Sequence, residues 1–482
     1  MIADTRPTAG LVDESIDRGT FRRYAGLSLP RHVSYPMPTW WHDMDSAAAA
    51  SMHHDNAQQD PGHDLSLYLH LPFCETLCKF CACNRVILGK SQNEAPERVE
   101  RYLRALQLEI KRLAESDNAD RPLRQIHWGG GSPTYQSVEQ IERIHKTVTD
   151  CFNVADDAEI AMEVDPRAAT PEKLAGLRRI GFNRLSMGVQ DFNDEVQQHV
   201  RRIQPFDMVH DVVTNCRELG FDSVNFDLIY GMPYQSPETI RDTVEKTLAL
   251  SPDRIAYYHY AQIPEKIATQ RGMDYTKLPD SEMKLDMFLV GLELFESAGF
   301  EFVGLDHFAK PDEALSTAKT NGSLQRNFQG MTTGGALRLL GVGVSSISHL
   351  LDIGFLQNVK DPEAYVDLIE QGKTPIERGK RFTPDDLIRQ AVLNQLYCLA
   401  GIFPTPFEDR FGIRFEEYFA RELNVMRVLE QDGLVTLEDD GAILVTRPLG
   451  RVLMRNIAAV FDAYLSPEAY RLGEENSFST NA

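Results

Sequence analysis

Three cysteines, Cys74, Cys78 and Cys81, are separated by three and then two residues directly behind the apolar run Leu67-Tyr68-Leu69-His70-Leu71-Pro72-Phe73. Three thiolates on one tight loop can converge on a single inorganic cluster, and in a four-iron cluster they leave one iron without a protein ligand. That open iron defines the chemistry. The amino and carboxylate groups of the methionine part of S-adenosylmethionine (SAM) can chelate it and hold the sulfonium beside the cluster. An electron from the reduced cluster then breaks a sulfonium carbon–sulfur bond, giving methionine and a 5′-deoxyadenosyl radical that takes hydrogen from an unactivated C–H bond. The cofactor carries the hard step and the protein orients it. Structural zinc is the alternative, with Cys83 or His70 completing four ligands. Zinc sites favour paired C-x2–4-C spacings, and the chain has no second CxxC pair. Cys83, just past the third ligand, is open to a substrate-side role or to plain packing.

Such a loop needs a rigid base. From residue 65 onward short apolar runs alternate with longer segments of helical period. Strands are expected at 65–71, 125–128, 159–164, 184–187, 223–229 and 254–260, with helices at 97–114, 137–152, 171–180, 206–219, 237–250 and 282–298. Six βα units in succession predict an α/β fold: a parallel sheet with helices outside, curved into a full or partial TIM-like barrel. Chemistry in a barrel sits at the carboxyl ends of the strands. The residues there are polar or glycine-rich: the cysteines, Gly129-Gly130-Gly131, Asp165-Pro166-Arg167, Gly188-Val189-Gln190 and Tyr230-Gly231-Met232-Pro233.

The flanks differ from the barrel. The first sixty residues read as an irregular arm wrapped over a domain, then a helix and a linker, with Pro30, Pro36, Pro38, Trp40 and Trp41 ahead of the alanine run 47–50. Beyond about residue 375 helices are expected at 382–399 and 415–431, then a hairpin of 434–437 and 443–446 across Asp440-Gly441, then a last helix at 452–464. That order resembles a winged helix, but it lacks a basic face and reads as a lid or scaffold. The expected domains are 1–60 (arm and linker), 61–370 (catalytic barrel) and 371–482 (mostly helical C-terminal domain).

Bulk properties narrow the class. With 482 residues, 42% of them hydrophobic and 25% charged, the chain can bury a large core. Fifty Lys and Arg stand against 71 Asp and Glu, a formal charge of −21. Most surfaces therefore repel phosphate backbones and anionic lipid, and neither nucleic acid nor membrane is an expected partner. No secretory start and no run near the roughly 18 apolar residues of a span are present. Seven cysteines, four of them within ten residues, suit a metal site in a reducing compartment rather than a disulfide scaffold. A cytoplasmic monomer is expected.

The same segments carry a family likeness. The chain resembles the oxygen-independent coproporphyrinogen III oxidases, also called coproporphyrinogen dehydrogenases, of the radical SAM superfamily. The likeness spans Leu67 to Cys74, Ile126-His127-Trp128-Gly129-Gly130-Gly131-Ser132-Pro133-Thr134-Tyr135, Met162-Glu163-Val164-Asp165-Pro166-Arg167, Arg184-Leu185-Ser186-Met187-Gly188-Val189-Gln190-Asp191-Phe192, Asp227-Leu228-Ile229-Tyr230-Gly231, Asp306-His307-Phe308-Ala309, Arg326-Asn327-Phe328-Gln329-Gly330 and Gly341-Val342-Gly343-Val344-Ser345.

The resemblance implies a reaction in which two propionates of coproporphyrinogen III become vinyl groups, with loss of two CO2, giving protoporphyrinogen IX in haem biosynthesis. It also implies a [4Fe–4S] cluster on Cys74, Cys78 and Cys81, two SAM molecules, an electron donor such as flavodoxin or ferredoxin, and an electron acceptor. By the same resemblance Tyr68 walls the SAM pocket and Phe80 neighbours the second SAM site. Gly130, Gly131 and Ser132 accept the methionine amino group, and Glu163 and Gln190 hold ribose and amino acid. Arg202 and Asp227 meet a SAM carboxylate and polar atoms of the second molecule, Ala261 and Ile347 pack on adenine, and Gln329 meets substrate. From the residues alone, Glu163, Arg202 and Asp227 are expected to be buried at strand ends.

Five positions depart from the family pattern. Leu29-Pro30-Arg31-His32-Val33 stands where Gly-Pro-Arg-Tyr-Thr is usual, Ser132 replaces a Thr and Met331 a Tyr. Two other readings use the same cysteines. A radical SAM paralogue, a methyltransferase or a haem-handling relative, would act on another substrate, although the haem-handling relatives tend to lack a cysteine at Cys83 and carry His-Asn-x-x-Tyr-Trp in place of 326–330. A non-catalytic carrier would have no use for Glu163, Gln190, Arg202 and Asp227. Anaerobically reconstituted protein is expected to hold about four irons. Cys78→Ser is expected to abolish SAM cleavage while leaving the far-UV circular dichroism spectrum unchanged; a variant that still forms 5′-deoxyadenosine defeats the ligand assignment.

Overall fold

The computed structural model describes residues 16–466 except 28, 59–62, 90–95, 117–119 and 335–336. The start of the expected arm (1–15), part of its linker (59–62) and the chain end (467–482) lie outside the described residues. Six strands, β1 (Leu65–Leu71), β2 (Pro122–Gly130), β3 (Asn153–Val164), β4 (Arg184–Gln190), β5 (Ser223–Tyr230) and β6 (Arg254–His259), lie side by side in chain order and all parallel. A seventh, β7 (Arg338–Val342), pairs parallel with the free side of β1.

Antiparallel strands extend both edges. Ile347–Leu350, Gly354–Asn358, Ile376–Arg381 and the two residues His42–Asp43 follow β7, and His307–Ala309 and Glu301–Gly304 follow β6. The thirteen-stranded sheet thus has two edges. It is a partial barrel. β7 was not foreseen: its run is short and follows a long irregular stretch, and only pairing with β1 makes it a strand.

Residue alternation explains why the sheet is hollow. In β4, Leu185, Met187 and Val189 are fully buried, while Arg184, Ser186, Gly188 and Gln190 are half-buried. The same outward set recurs as Leu67, Leu69 and Leu71 in β1, Ile126 and Trp128 in β2, Met162 and Val164 in β3, and Val224, Phe226 and Leu228 in β5, all in one core. Side chains alternate between faces with period two, so the apolar row packs under helices and the polar row is left inside. A common barrel fills that interior with Val, Ile and Leu; this one does not.

The covering helices are α1 (Pro96–Ser116), α2 (Val138–Cys151), α3 (Pro171–Ile180), α4 (Phe206–Glu218), α5 (Pro237–Leu250) and α6 (Ser281–Ser297). Ser137, Thr170, Ser236 and Asp280 cap α2, α3, α5 and α6, each side chain accepting from a backbone N–H of the first turn. These caps fix where each βα loop ends.

A second core lies outside the barrel. Leu393, Leu396, Phe407, Phe415, Met426, Ile443 and Phe461 form it with Phe21 and Tyr35 of the arm and Leu285 and Leu305 of the barrel side. The arm is more ordered than its sequence suggests. It contains helix Arg18–Ala25, which clamps to α6 through Arg18 to Glu282 at 2.6 Å and Arg22 to Glu282 at 2.6 Å. The C-terminal unit has helix Pro384–Leu399 and the expected hairpin, Val435–Leu437 with Ile443–Val445, to which Gly401–Ile402 adds a third strand. The helix expected at 415–431 is divided into Phe415–Tyr418 and Ala420–Gln431, and that at 452–464 into Leu449–Val452 and Met454–Ala459. Residues 453, 454 and 457–461 are all buried, so packing on every side overrides a single amphipathic helix. Among the described residues no helix is long and apolar enough to cross a membrane.

Trp128 is wholly buried, its ring 6.4 Å from His145 on α2 and 5.5 Å from Phe182 beyond α3. Trp128→Ala is expected to cost about 3–5 kcal/mol, read as a lowered denaturant midpoint in chemical unfolding.

Candidate active site

The three cysteines leave β1 on a loop that is tied down on several sides. Phe73–Cys74 pairs parallel with Val86–Ile87. Gly131 donates its N–H to Leu71 O at 2.8 Å and Ser132 to Phe73 O at 2.9 Å, so the end of β2 seals under the start of the loop. Lys79 N–H donates to Val200 O at 3.0 Å, and Gln270 Nε2 donates to Phe80 O at 3.0 Å and to Ala261 O at 2.9 Å. Two of the glycines follow from this seam. A Cβ on Gly131 would stand 2.4 Å from Pro72 O, and one on Gly130, at φ +114°, would stand 2.8 Å from the His70 ring. The glycine run is therefore more than a turn: it lets two backbones touch.

The loop opens into a cavity of about 1110 Å³ lined by the polar inner faces of the strands. Around the cysteines the charge is positive. Arg202 Nη1 is 3.7 Å and Arg167 Nη2 3.9 Å from Cys78 Sγ. Asp165 accepts from Arg167 at 2.6 Å and from Arg202 at 3.3 Å. Burial opposes its ionisation, but the Arg202 and Arg167 guanidiniums outweigh this and hold its carboxyl at about 2. Arg202 also donates from Nη2 to Gly188 O at 2.7 Å. Burial, with the Cys81 and Cys78 sulfurs, pushes the Cys74 thiol up to about 12. A metal that takes it as thiolate must displace that proton.

Across the cavity the charge is negative. Glu163 accepts from Gly130 N at 3.1 Å and stands 3.4 Å from His127 Nε2. Tyr68 stacks on His127 with ring centroids 6.0 Å apart, and its hydroxyl lies 3.2 Å from His70 Nδ1. Asp227 accepts from Asn225 at 2.9 Å and Ser186 at 3.4 Å. Burial, then the charge of Glu163, pushes its carboxyl up to about 6. A carboxylate whose ionisation is opposed by burial and by a neighbouring carboxylate suits a cationic guest rich in amine and hydroxyl groups, and a sulfonium nucleoside is one.

Cys74, Cys78, Cys81, Phe80, Gly130, Gly131, Ser132, Glu163, Gln190, Arg202, Asp227 and Gln329 all line this one cavity. Tyr68, Ala261 and Ile347 are not among its lining residues. Tyr68 stands behind Gly129 and His127, Ala261 is bound to the cysteine loop through Gln270, and Ile347 is on the strand beyond β7. Three expectations need correction. Asp227 is half-buried in the middle of β5, not buried at its end. Glu163 is not buried, its side chain being 41% exposed to the cavity. Arg202 ends no strand; it follows helix Asp194–Val200, whose cap Arg201 is left-handed. Asp165 and Arg167 of the strand-end motif line the cavity as well, and His127, Arg184, Tyr258 and His307 do so without having been given a role. Alternation finds three of them: Leu185, Trp128 and Tyr257 face the outer core, so their neighbours Arg184, His127 and Tyr258 face inward.

Among the described residues no three His, Cys, Asp or Glu side chains gather as around one metal ion. Thiolates of a cluster ligate separate irons and stand farther apart.

The radical SAM superfamily matches residues 68–247 and the HemN C-terminal domain residues 382–453. An oxygen-independent coproporphyrinogen III oxidase from Synechocystis is 42% identical, over 91% of this chain and 93% of the relative. The one from Escherichia coli K12 is 40% identical, over 94% of this chain and 96% of the relative. A solved structure, that of coproporphyrinogen III oxidase (HemN) from Escherichia coli, described as a radical SAM enzyme, superposes with a TM-score of 0.84 at 40% identity, covering 90% of this chain and 98% of that one. The chain belongs to the oxygen-independent coproporphyrinogen III oxidase family.

Membership of the radical SAM superfamily brings a [4Fe–4S] cluster and SAM as cofactors. The donor set fits them, with three cysteines at the cavity mouth, guanidiniums beside one of them and carboxylates opposite. Asp227 has a linkage consequence. Its pKa in the fold, about 6, lies above the ordinary 3.8, so the folded state resists its ionisation and stability falls as pH rises between those values. Asp227→Asn is expected to flatten this slope and to stabilise the cofactor-free protein at pH 8 by about 2 kcal/mol, measured by urea unfolding at pH 4.5 and 8.

Proposed function

We propose that this chain converts coproporphyrinogen III to protoporphyrinogen IX without oxygen, the reaction for which its relatives are named. The carrying observation is the cysteine loop at the mouth of a single large cavity that also receives Gln329 of the hairpin Gln325–Asn327 and Gly330–Thr332. Drug-sized ligands occupy roughly 300–1,000 Å³, and about 1110 Å³ suits a tetrapyrrole beside SAM.

In this reading Cys74, Cys78 and Cys81 hold the cluster. Reductive cleavage of SAM there supplies the radical that removes a hydrogen atom from a propionate β-carbon. The propionate then loses CO2 and passes one electron to an acceptor, leaving a vinyl group; two propionates need two such events. Arg202 and Arg167 offset the negative charge of the thiolates, and Asp165 fixes both guanidiniums. Glu163 and Gln190 hold the SAM ribose and amino acid, Arg202 and Asp227 meet a SAM carboxylate and polar atoms of the second molecule, and the edge of Gly130, Gly131 and Ser132 accepts from the amine. Phe80 borders a second SAM molecule, and Ala261 and Ile347 back the adenine. Tyr68 steadies Glu163 through His127. Residues 1–60 act as the arm, 61–370 as the catalytic barrel and 371–482 as its cover. A small reduced protein of the flavodoxin or ferredoxin kind serves as electron donor.

Reduced, reconstituted enzyme with SAM is expected to release CO2 from coproporphyrinogen III in the absence of oxygen, and the gene to restore anaerobic haem formation in an oxidase-deficient host. Deoxyadenosine without CO2 points instead to a paralogue with another substrate. Tight haem binding with no deoxyadenosine formed points to a carrier.

A further inference from the structure

Away from the cysteines, beyond Tyr258 and His307, three guanidinium groups from three parts of the chain come within electrostatic reach of one another. Arg31 comes from the arm, Arg326 from the strand Gln325–Asn327 and Arg455 from the helix Met454–Ala459. Arg31 donates from Nη2 to His259 O at 2.7 Å, and the Arg326 guanidinium lies 5.5 Å from the Tyr397 ring centroid. Among the described residues none of the three forms an ion pair. Arg31 Nε, Arg326 Nε and Nη1, and Arg455 Nη1 are buried without a hydrogen-bond partner. Asp306 is the carboxylate whose charge bears on Arg31, against Arg455 and Arg326, and burial followed by Arg455 pulls the Arg31 guanidinium down to about 9. Buried positive charge in excess is costly unless an anion answers it. Guanidinium forks match carboxylates in shape as well as charge.

None of the three lines the catalytic cavity itself; they stand behind its wall residues Tyr258 and His307. His307, next to Asp306, lies 3.4 Å from Tyr258 Oη, both line the cavity, and Arg326 bears electrostatically on each. Arg326 also shares its hairpin with Gln329, which lines that cavity. A reacting propionate must lie at the cysteine loop on β1, whereas this group is set against β6 and its antiparallel neighbours, at the other end of the parallel row. We propose that Arg31, Arg326 and Arg455 form a carboxylate seat for a propionate that does not react, and so decide which side of the macrocycle faces the cysteines. This rests on the reading of the chain as acting on coproporphyrinogen III.

Stable porphyrins test it by fluorescence titration of the full-length protein: coproporphyrin III with four propionates, protoporphyrin IX with the two that survive, and etioporphyrin with none. Arg326→Gln and Arg455→Gln are each expected to weaken binding of the first two at least about tenfold, the loss of a charge-assisted hydrogen bond, and to leave etioporphyrin unchanged. Arg326→Lys, which keeps the charge, is expected to recover part of the loss. Unchanged affinities overturn the seat. So does weakening for coproporphyrin III alone, which would place a reacting propionate there, or equal weakening for etioporphyrin, which would be a packing effect. Should Arg326→Gln not fold, judged by circular dichroism and iron content, Arg455→Gln carries the same comparison. If the unaltered enzyme releases no CO2 from coproporphyrinogen III, the functional reading fails whatever these variants do. If it does and the variants bind as before, the seat alone fails.

Discussion

The structure depends on a backbone seam. Where β2 ends, Gly131 and Ser132 donate to Leu71 and Phe73, and a Cβ on Gly131 would meet Pro72 O at 2.4 Å. Three thiolates that leave one iron open must be held by something other than the metal, because a slack loop lets a fourth ligand swing in. The seam supplies that stiffness at the point where the chain leaves β1. A second tie, Gln270 donating to both Phe80 and Ala261, holds the far side of the loop. Pre-organisation of this kind separates a site that admits a guest ligand from one that closes on itself.

From the seam outward the charge is arranged by side. Guanidiniums stand by Cys78, and the carboxylates of Glu163 and Asp227 stand on the inner wall of β3 and β5. Either set alone would be unstable in a half-buried cavity. Asp165 stabilises the first by accepting from both Arg167 and Arg202, and the second has no comparable internal partner, as the raised pKa of Asp227 records. The imbalance points to a guest that brings positive charge to that wall, which is the chemical character of SAM. The hollow interior is what makes room for it. Ser186, Gly188 and Ala256 occupy inward positions where a packed barrel carries branched aliphatics.

The parts of this arrangement legible in the sequence are those in which neighbours in the chain do the work. Cysteine spacing, the period-two runs of β1 and β4 and the capped helices between them are local patterns, and all are found where expected. Asp165 and Arg167 follow β3 in a motif, yet their role depends on Arg202, which reaches them from a loop after another helix. β7 reads as a strand only because β1 lies beside it. The broken last helix looked continuous because its residues are apolar enough for one, and only the second core shows that every face is in contact. Glu163 was expected to be buried because a carboxylate at a strand end looks enclosed; the large cavity keeps it wet.

The arm and the C-terminal unit close the argument. Phe21 and Tyr35 enter the same core as Leu396 and Phe461, and His32 bridges Tyr397 at 3.0 Å and Asp462 at 2.9 Å, both distances within the buried interior. The arm is thus one layer of the cover, held from both sides. The arm carries Arg31, the C-terminal unit Arg455 and the hairpin Arg326, so like charges from three parts of the chain come within electrostatic reach where these parts pack. Bringing like charges together costs free energy that the apolar contacts of the second core must offset, and a sequence tolerates such a cost where an anionic guest repays it. That the departures at Leu29, His32 and Val33 leave Arg31 in place agrees with this: His32 is occupied with Tyr397 and Asp462, whereas the guanidinium beside it keeps a donor unused.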